Sequence, residues 1–203
     1  MRATGANTTA DRARFVRLAV AAELGLGVLA VLWISWRDLP SPNLTRFEDL
    51  GAGLLVAFGL AVLNLGLLRY GPNIAPLRSI RRFYGRILRP LLGHLGPVQI
   101  LVLSVAAGVG EELLFRGVVQ PEWGLIPASV LFGIVHIGGA DMVAFGVWAG
   151  GIGALLGWLA VATGGLLAPI TAHAVYDALA LAYIVWIPAA AVESDERFEE
   201  PPE

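Results

Sequence analysis

Long apolar stretches separated by short polar segments dominate the pattern of hydrophobic and polar positions along the chain. A helix that crosses a bilayer needs roughly 20 mainly apolar residues, and six stretches approach that length. The predicted spans are Phe15–Trp36, Leu50–Leu68, Val98–Val119, Trp123–Ala140, Met142–Ala162 and Leu166–Ile187. The fourth is the weakest, because it is short and contains Pro127 and the pair Gly138-Gly139. The pattern predicts an all-α fold, a polytopic transmembrane helix bundle with about six spans.

Composition places this bundle in a membrane and excludes several classes of protein. Hydrophobic residues make up 57% of the 203 residues and charged residues only 15%, whereas a soluble domain carries about 25% charged residues. The chain has no cysteine, which excludes disulfides and thiolate metal sites. The net charge of −2 argues against a nucleic-acid partner and leaves membrane lipid as the expected surroundings.

All 14 basic residues are arginine, and their positions predict the orientation of the spans. Basic residues concentrate on the cytoplasmic side of membrane proteins. One group precedes or opens the first span, and a second group fills the connection between spans two and three. The groups are Arg2, Arg12, Arg14 and Arg17, and then Arg69, Arg78, Arg81, Arg82, Arg86 and Arg89. We therefore expect a multi-pass protein of the inner (cytoplasmic) membrane with both termini in the cytoplasm.

Three regions are expected along the chain. Residues 1–14 form a cytoplasmic N-terminal segment, residues 15–187 form the bundle, and residues 188–203 form an acidic tail that is expected to be disordered. The segment 77–92 places arginines between apolar residues at helical spacing, which predicts a basic amphipathic helix on an anionic leaflet. A positively charged loop is the alternative, because Gly85 and Pro90 weaken a helix.

Ionisable side chains inside the spans are the main signal for function. Burying such a group in hydrocarbon costs at least about 2.5–3.5 kcal/mol, so each one needs a reason to be there. Six of them lie in spans three, four and six, while Glu23 in span one receives no role and Asp141 lies at a boundary. The six are Glu111, Glu112, Arg116, His136, His173 and Asp177.

The spacing of these residues predicts two local pairs. Glu112 and Arg116 are four residues apart, so they share a helix face and can form an ion pair. Glu111 lies about 100° away around the helix, which leaves a second carboxylate that suits a general base. His173 and Asp177 are also four residues apart, so Asp177 can fix the tautomer of the ring.

The expected depths of these residues in the membrane argue against a common site, and so do the simpler explanations that each motif has when taken singly. Counted from the middle of each span, His136 lies roughly 10 Å closer to the cytoplasm than Glu111 and His173, a difference that helix tilt would have to absorb. Taken singly, the Glu112–Arg116 pair would be structural and His136 would join two helices. His173 with Asp177 would serve a proton relay or an ion site. The joint occurrence of the three motifs favours catalysis.

At these residues the chain resembles the CPBP family of intramembrane proteases, the CAAX proteases and bacteriocin-processing enzymes also called the ABI family. The family motifs E-E-x-x-x-R, F-x-x-x-H and H-x-x-x-[N/D] correspond here to Glu111-Glu112…Arg116, Phe132…His136 and His173…Asp177. The resemblance covers about residues 97–187, which would form the catalytic core. It implies a membrane-embedded peptidase, a CAAX prenyl endopeptidase-like hydrolase of glutamic or metallo type.

The resemblance also implies a role for each residue. Glu111 would activate the attacking water, and Glu112 with Arg116 would hold the local structure. His136 and His173 would orient water, or bind a divalent metal such as zinc if one is used. Residue 177 would help to stabilise the tetrahedral oxyanion. A charged Asp cannot donate a hydrogen bond, so Asp177 must be protonated or must instead orient His173.

The expected function is an intramembrane endopeptidase that cleaves membrane-associated or lipidated peptides or protein C-terminal tails. Two alternatives stay open. The same buried carboxylates and imidazoles would serve a small ion or proton transporter. A catalytically silent bacteriocin-immunity protein of the same fold is the other alternative.

Overall fold

The computed structural model of the protein describes residues 9–186, with side chains described for residues 13–186. Seven helices make up this part of the chain, and it contains no strand. They are α1 (Thr9–Arg37), α2 (Leu50–Tyr70), α3 (75–92), α4 (Pro97–Trp123), α5 (Leu125–Val135), α6 (Val143–Thr163) and α7 (Leu167–Trp186). Helix α1 begins within the predicted N-terminal segment. The predicted acidic tail, 188–203, lies outside the described residues.

Five of these helices, rather than six, are long and apolar enough to cross a membrane. The candidate spans are Ala13–Arg37, Phe47–Tyr70, Pro97–Trp123, Ala140–Thr163 and Leu167–Trp186. The fourth predicted span, Trp123–Ala140, is replaced by α5, which has 11 residues and is about 16 Å long at 1.5 Å per residue. The predicted all-α transmembrane bundle is confirmed, with one full-length span fewer than the six expected. The fourth span is shorter because the helix ends at Val135 and the chain continues through 136–139 without helical structure.

Helix α5 nevertheless runs along most of the bundle, antiparallel to α6. Near its beginning, Leu125 lies close to Gly157 in the last third of α6. Near its end, Gly133 contacts Gly146 at the start of α6. The chain that follows reaches α3, where the Ser79 hydroxyl donates a hydrogen bond of 2.7 Å to the carbonyl of Asp141. The short helix and its non-helical continuation thus connect the two ends of the bundle.

Helix α3 covers one end of the bundle, which we call the arginine end. Its inner face buries Ile80, Phe83 and Tyr84 against the ends of α2 and α7, while Arg81 donates hydrogen bonds to three carbonyls at the end of α2. A π-helical turn at Tyr84–Leu88 precedes Pro90 and provides room for a ring that clashes in a regular helix. The predicted amphipathic helix is therefore present, with Ile80, Phe83 and Tyr84 packed on the protein and Ile87 and Leu91 exposed.

The sides of the bundle expose large apolar residues. Leu32, Leu55, Val62, Val147 and Val161 are each more than 60% exposed. Soluble monomers rarely expose contiguous apolar surface on this scale. Together with the five long helices, these side chains indicate a surface that lies in lipid.

Two glycines of α4 bring it close to a different helix on each side. A Cβ at Gly108 would lie 2.9 Å from the Cβ of Ala174 in α7. A Cβ at Gly110 would collide with the carbonyl oxygen of Glu23 in α1. Two residues along a helix correspond to about 200°, so these contacts lie on nearly opposite faces. The side chains that follow them, Glu111 and Glu112, are therefore held between α1 and α7.

The close contact at Gly108 predicts a steric effect on stability. Gly108→Val should destabilise the protein by about 1–3 kcal/mol, because the new side chain overpacks the contact with Ala174. Gly59→Val in α2 is the matched control, since nothing lies within 4 Å of a Cβ there. Thermal unfolding in detergent, followed by circular dichroism, measures both. Equal unfolding midpoints for the two variants would contradict the packing described here.

Candidate active site

The site is built around the carboxylate of Glu112, which has no exposed surface. Its Oε1 atom accepts a hydrogen bond of 2.9 Å from Nη1 of Arg116 and another of 2.8 Å from Nδ1 of His173. The first bond is the predicted pair within α4. The second joins α4 to α7 across 61 positions of sequence and was not predicted.

Arg116 extends this network to α6 and α5. Its Nη2 atom donates a hydrogen bond of 2.8 Å to the carbonyl of Gly153, and its guanidinium lies 4.6 Å from the ring centroid of Phe132. Arg116 belongs to a π-helical turn, Phe115–Val119, that precedes Pro121. Such turns relieve the clash of a proline ring in a helix and recur at functional sites.

His173 lies between two carboxylates. Its Nδ1 donates to Glu112, and its Nε2 lies 3.5 Å from Oδ2 of Asp177. A histidine ring can donate from both nitrogens only when both carry hydrogen, and this position suits that form. The His173–Asp177 proximity agrees with the predicted pair on α7.

His136 ends α5 and uses its ring to cap that helix. Its Nδ1 atom lies 2.6 Å from the carbonyl oxygen of Phe132, a group that helix termination leaves without its usual backbone donor. The carbonyl can only accept, so Nδ1 carries the hydrogen. The lone pair of the neutral ring is then on Nε2, which lies 3.8 Å from Oε2 of Glu111.

The carboxylate of Glu111 takes no part in the Glu112–Arg116 ion pair. Its Oε2 atom has no hydrogen-bond partner among the described side chains and faces His136. Its side chain is 13% exposed, and those of His136 and Asp177 are 25% and 32% exposed. Exposure therefore increases from Glu112 through Glu111, whose Oε2 atom is itself buried, to His136 and Asp177, which small molecules can reach.

The expected depth difference between His136 and Glu111 is not present. It arose from placing His136 within a full-length span. Because α5 ends at Val135, the ring of His136 lies at the helix terminus and reaches the middle of α4. The structure brings all six predicted residues into one neighbourhood.

Phe132 is part of one sequence motif, but the motif alone gives it no role in the site. Its ring centroid lies 4.6 Å from that of His136, 5.9 Å from that of His173 and 4.9 Å from that of Phe115. Because its own carbonyl also holds His136, Phe132 fixes both the position and the tautomer of that ring. A second residue without an assigned role, Glu23, packs against α4 at Gly110.

A zinc site at His136 and His173 does not fit this arrangement. Zinc sites in proteins use three or four His, Cys, Asp or Glu ligands. Within residues 9–186, no three such side chains are arranged to hold one metal ion. His136 has a free lone pair, but both nitrogens of His173 face carboxylates.

Comparison with known proteins identifies the segment that carries the site. Residues 93–179 match the family model described as Type II CAAX prenyl endopeptidase Rce1-like. The chain is also 36% identical over 81 residues to the uncharacterized protein YpbD of Bacillus subtilis (strain 168). That alignment covers 40% of this chain and 43% of YpbD, so it spans less than half of either protein. No solved structure matches the chain.

The matched segment contains every one of the six predicted site residues and the helices that position them. The resemblance drawn from the three motifs is therefore confirmed. Residues 93–179 thus carry a domain that is similar to the Rce1-like type II CAAX prenyl endopeptidases, and this match together with the five long apolar helices supports a membrane protein with a protease-family domain.

Proposed function

We propose that the protein is an intramembrane endopeptidase in which Glu111 activates a water molecule for attack on a peptide bond. One observation carries the proposal: Oε2 of Glu111 and Nε2 of His136 lie 3.8 Å apart and face each other. Both atoms are acceptors. The separation is too long for a direct hydrogen bond and suits two acceptors that receive the two hydrogens of one water.

A water held in this way is prepared as a nucleophile. Hydrogen bonds of about 2.8 Å to both acceptors direct its hydrogens toward Glu111 and His136 and leave its lone pairs free. Glu111 takes one proton as the water oxygen bonds to the carbonyl carbon. The partly exposed side of the site, at His136 and Asp177, is where a peptide would enter.

His173 is the group best placed to stabilise the oxyanion of the tetrahedral intermediate. Its ring is held by Glu112 through Nδ1, and its looser contact of 3.5 Å through Nε2 leaves that hydrogen available to a developing negative charge beside it. This assigns Asp177 the second of its two expected roles, since an ionised carboxylate orients His173 and cannot itself donate to an oxyanion.

The substrates proposed are membrane-bound peptides or lipidated protein tails. The family description names CAAX prenyl endopeptidases, and the exposed apolar sides of the bundle suit substrates that approach within lipid. The arginine end is proposed to face the cytoplasm of a bacterial inner membrane, with both termini on that side. This follows from the arginines of α3 and the return of α7 to the same end.

Glu111→Gln should abolish cleavage without unfolding the protein. Loss of a general base lowers rates by about 10²–10⁴-fold, and Gln keeps the size of the side chain. The assay follows new peptide termini by mass spectrometry, with a farnesylated CAAX peptide and a transmembrane peptide as substrates. Glu122→Gln, at the far end of the bundle, is the control and should retain activity. Cleavage at the wild-type rate by Glu111→Gln would exclude Glu111 as the base. Proton flux through liposomes that contain the wild-type protein, without any cleavage, would favour the transporter.

Glu112→Gln should instead destabilise the fold. Removing one partner of a buried ion pair costs about 3–5 kcal/mol, because Arg116 and His173 then face a neutral amide. Glu122→Gln again provides the comparison: Glu122 is 12% exposed, but its partner Arg37 is 53% exposed and remains solvated when the pair is lost, so the cost should be closer to that of exposed pairs, about 0–1 kcal/mol. Denaturant unfolding in detergent separates the two. Equal losses of stability would show that Glu112 is not the structural anchor.

A further inference from the structure

Helix α1 lies outside the matched segment 93–179 and carries Glu23, whose backbone packs next to the site at Gly110. Glu23 packs against α4 at Gly110, where a Cβ would collide with the Glu23 carbonyl oxygen and lie 3.4 Å from its Cα. Glu23 is therefore adjacent to the backbone that carries Glu111. Its Oε2 atom is buried and has no hydrogen-bond partner among the described residues, and the same is true of Oε2 of Glu111.

The balance of charges in the site bears on whether a carboxyl group beside Glu111 carries a proton. Glu23 interacts electrostatically with His173, Asp177 and Glu111. Four carboxyl groups share the site with two cationic groups, since His136 is neutral when Nε2 accepts a hydrogen bond. The carboxyls are Glu23, Glu111, Glu112 and Asp177, and the cations are Arg116 and doubly protonated His173. Neighbouring carboxylates with little water resist ionising together, so one of them retains a proton.

A proton of this kind can serve a step that peptide hydrolysis must include. A peptide nitrogen must be protonated before it leaves, because an amide anion is a very poor leaving group. Three other groups of the site are already engaged: Oε1 of Glu112 accepts two hydrogen bonds, Asp177 lies against His173, and Nδ1 of neutral His136 donates to the Phe132 carbonyl. The Oε2 atom of Glu23 has no such partner among the described residues.

We propose that Glu23 is the general acid of the reaction and protonates the leaving nitrogen. This inference rests on the proposed peptidase function. Water gives one proton to Glu111 as its oxygen bonds to the carbonyl carbon. The carboxyl of Glu23 gives its proton to the nitrogen as the C–N bond breaks, which yields a carboxylic acid and an amine. The proton on Glu111 then passes to Glu23 and restores both groups.

A leaving group that needs no proton distinguishes this role from a structural one. Nitrophenolate leaves without protonation, so a nitrophenyl ester needs the base and not the acid, whereas a peptide needs both. Glu23→Gln should lower kcat for the peptide about 10–100-fold with little change in KM, and should leave ester hydrolysis close to wild type. Glu111→Gln should slow both substrates.

The pH dependence gives a second readout. The charged groups near Glu23 are Glu111 on α4, and His173 and Asp177 on α7. A general acid is active only while protonated, so peptide cleavage by the wild type should fall at high pH as Glu23 ionises. Glu23→Gln should lose that fall, and Glu23→Asp should retain it with part of the activity.

Each result of these experiments either supports or contradicts the role of Glu23 as general acid. Full peptide cleavage by Glu23→Gln would overturn it and leave the proposed function intact. Equal slowing of the peptide and the ester would also overturn it, since that result indicates a structural role. If Glu23→Gln fails to fold, Glu23→Asp is tested in its place. Peptide cleavage by Glu23→Asp that does not decrease at high pH would contradict the role of Glu23 as general acid. A wild-type protein that cleaves neither substrate would overturn both proposals.

Discussion

One sealed carboxylate, that of Glu112, holds the centre of the structure together. It accepts hydrogen bonds from Arg116 on its own helix and from His173 on α7. Arg116 continues to the Gly153 carbonyl, so a single charge network joins three helices. In an apolar interior an unpaired charge is strongly unfavourable, which makes this arrangement specific. The positions of the groups that can reach solvent follow from it.

Two adjacent glutamates are separated into different environments by helix geometry. A rotation of about 100° per residue turns Glu112 toward α7 and Glu111 toward the end of α5. Glu112 is completely enclosed, whereas Glu111 retains some exposure and faces an imidazole acceptor. The anchor and the candidate base are thereby made from the same residue type. The glycines before them allow α1 and α7 to approach closely enough to enclose both.

The features that sequence could predict are local ones. The apolar runs predicted five of the long helices, and the four-residue spacing predicted the pairs of Glu112 with Arg116 and of His173 with Asp177. The contact between Glu112 and His173 joins residues 61 positions apart, and no periodicity encodes it. The length of α5 was overestimated because hydropathy continues past Val135, whereas the helix stops where the His136 ring takes the place of a backbone donor. Glu23 was visible as an ionisable residue, but only packing at Gly110 places it at the site.

The most direct test of the account is an experimental map of the site at a resolution that shows ordered water. The proposed mechanism requires one water within about 3 Å of both Oε2 of Glu111 and Nε2 of His136. A direct bond between these two side chains, or a pair that points apart with no shared water, would contradict the mechanism.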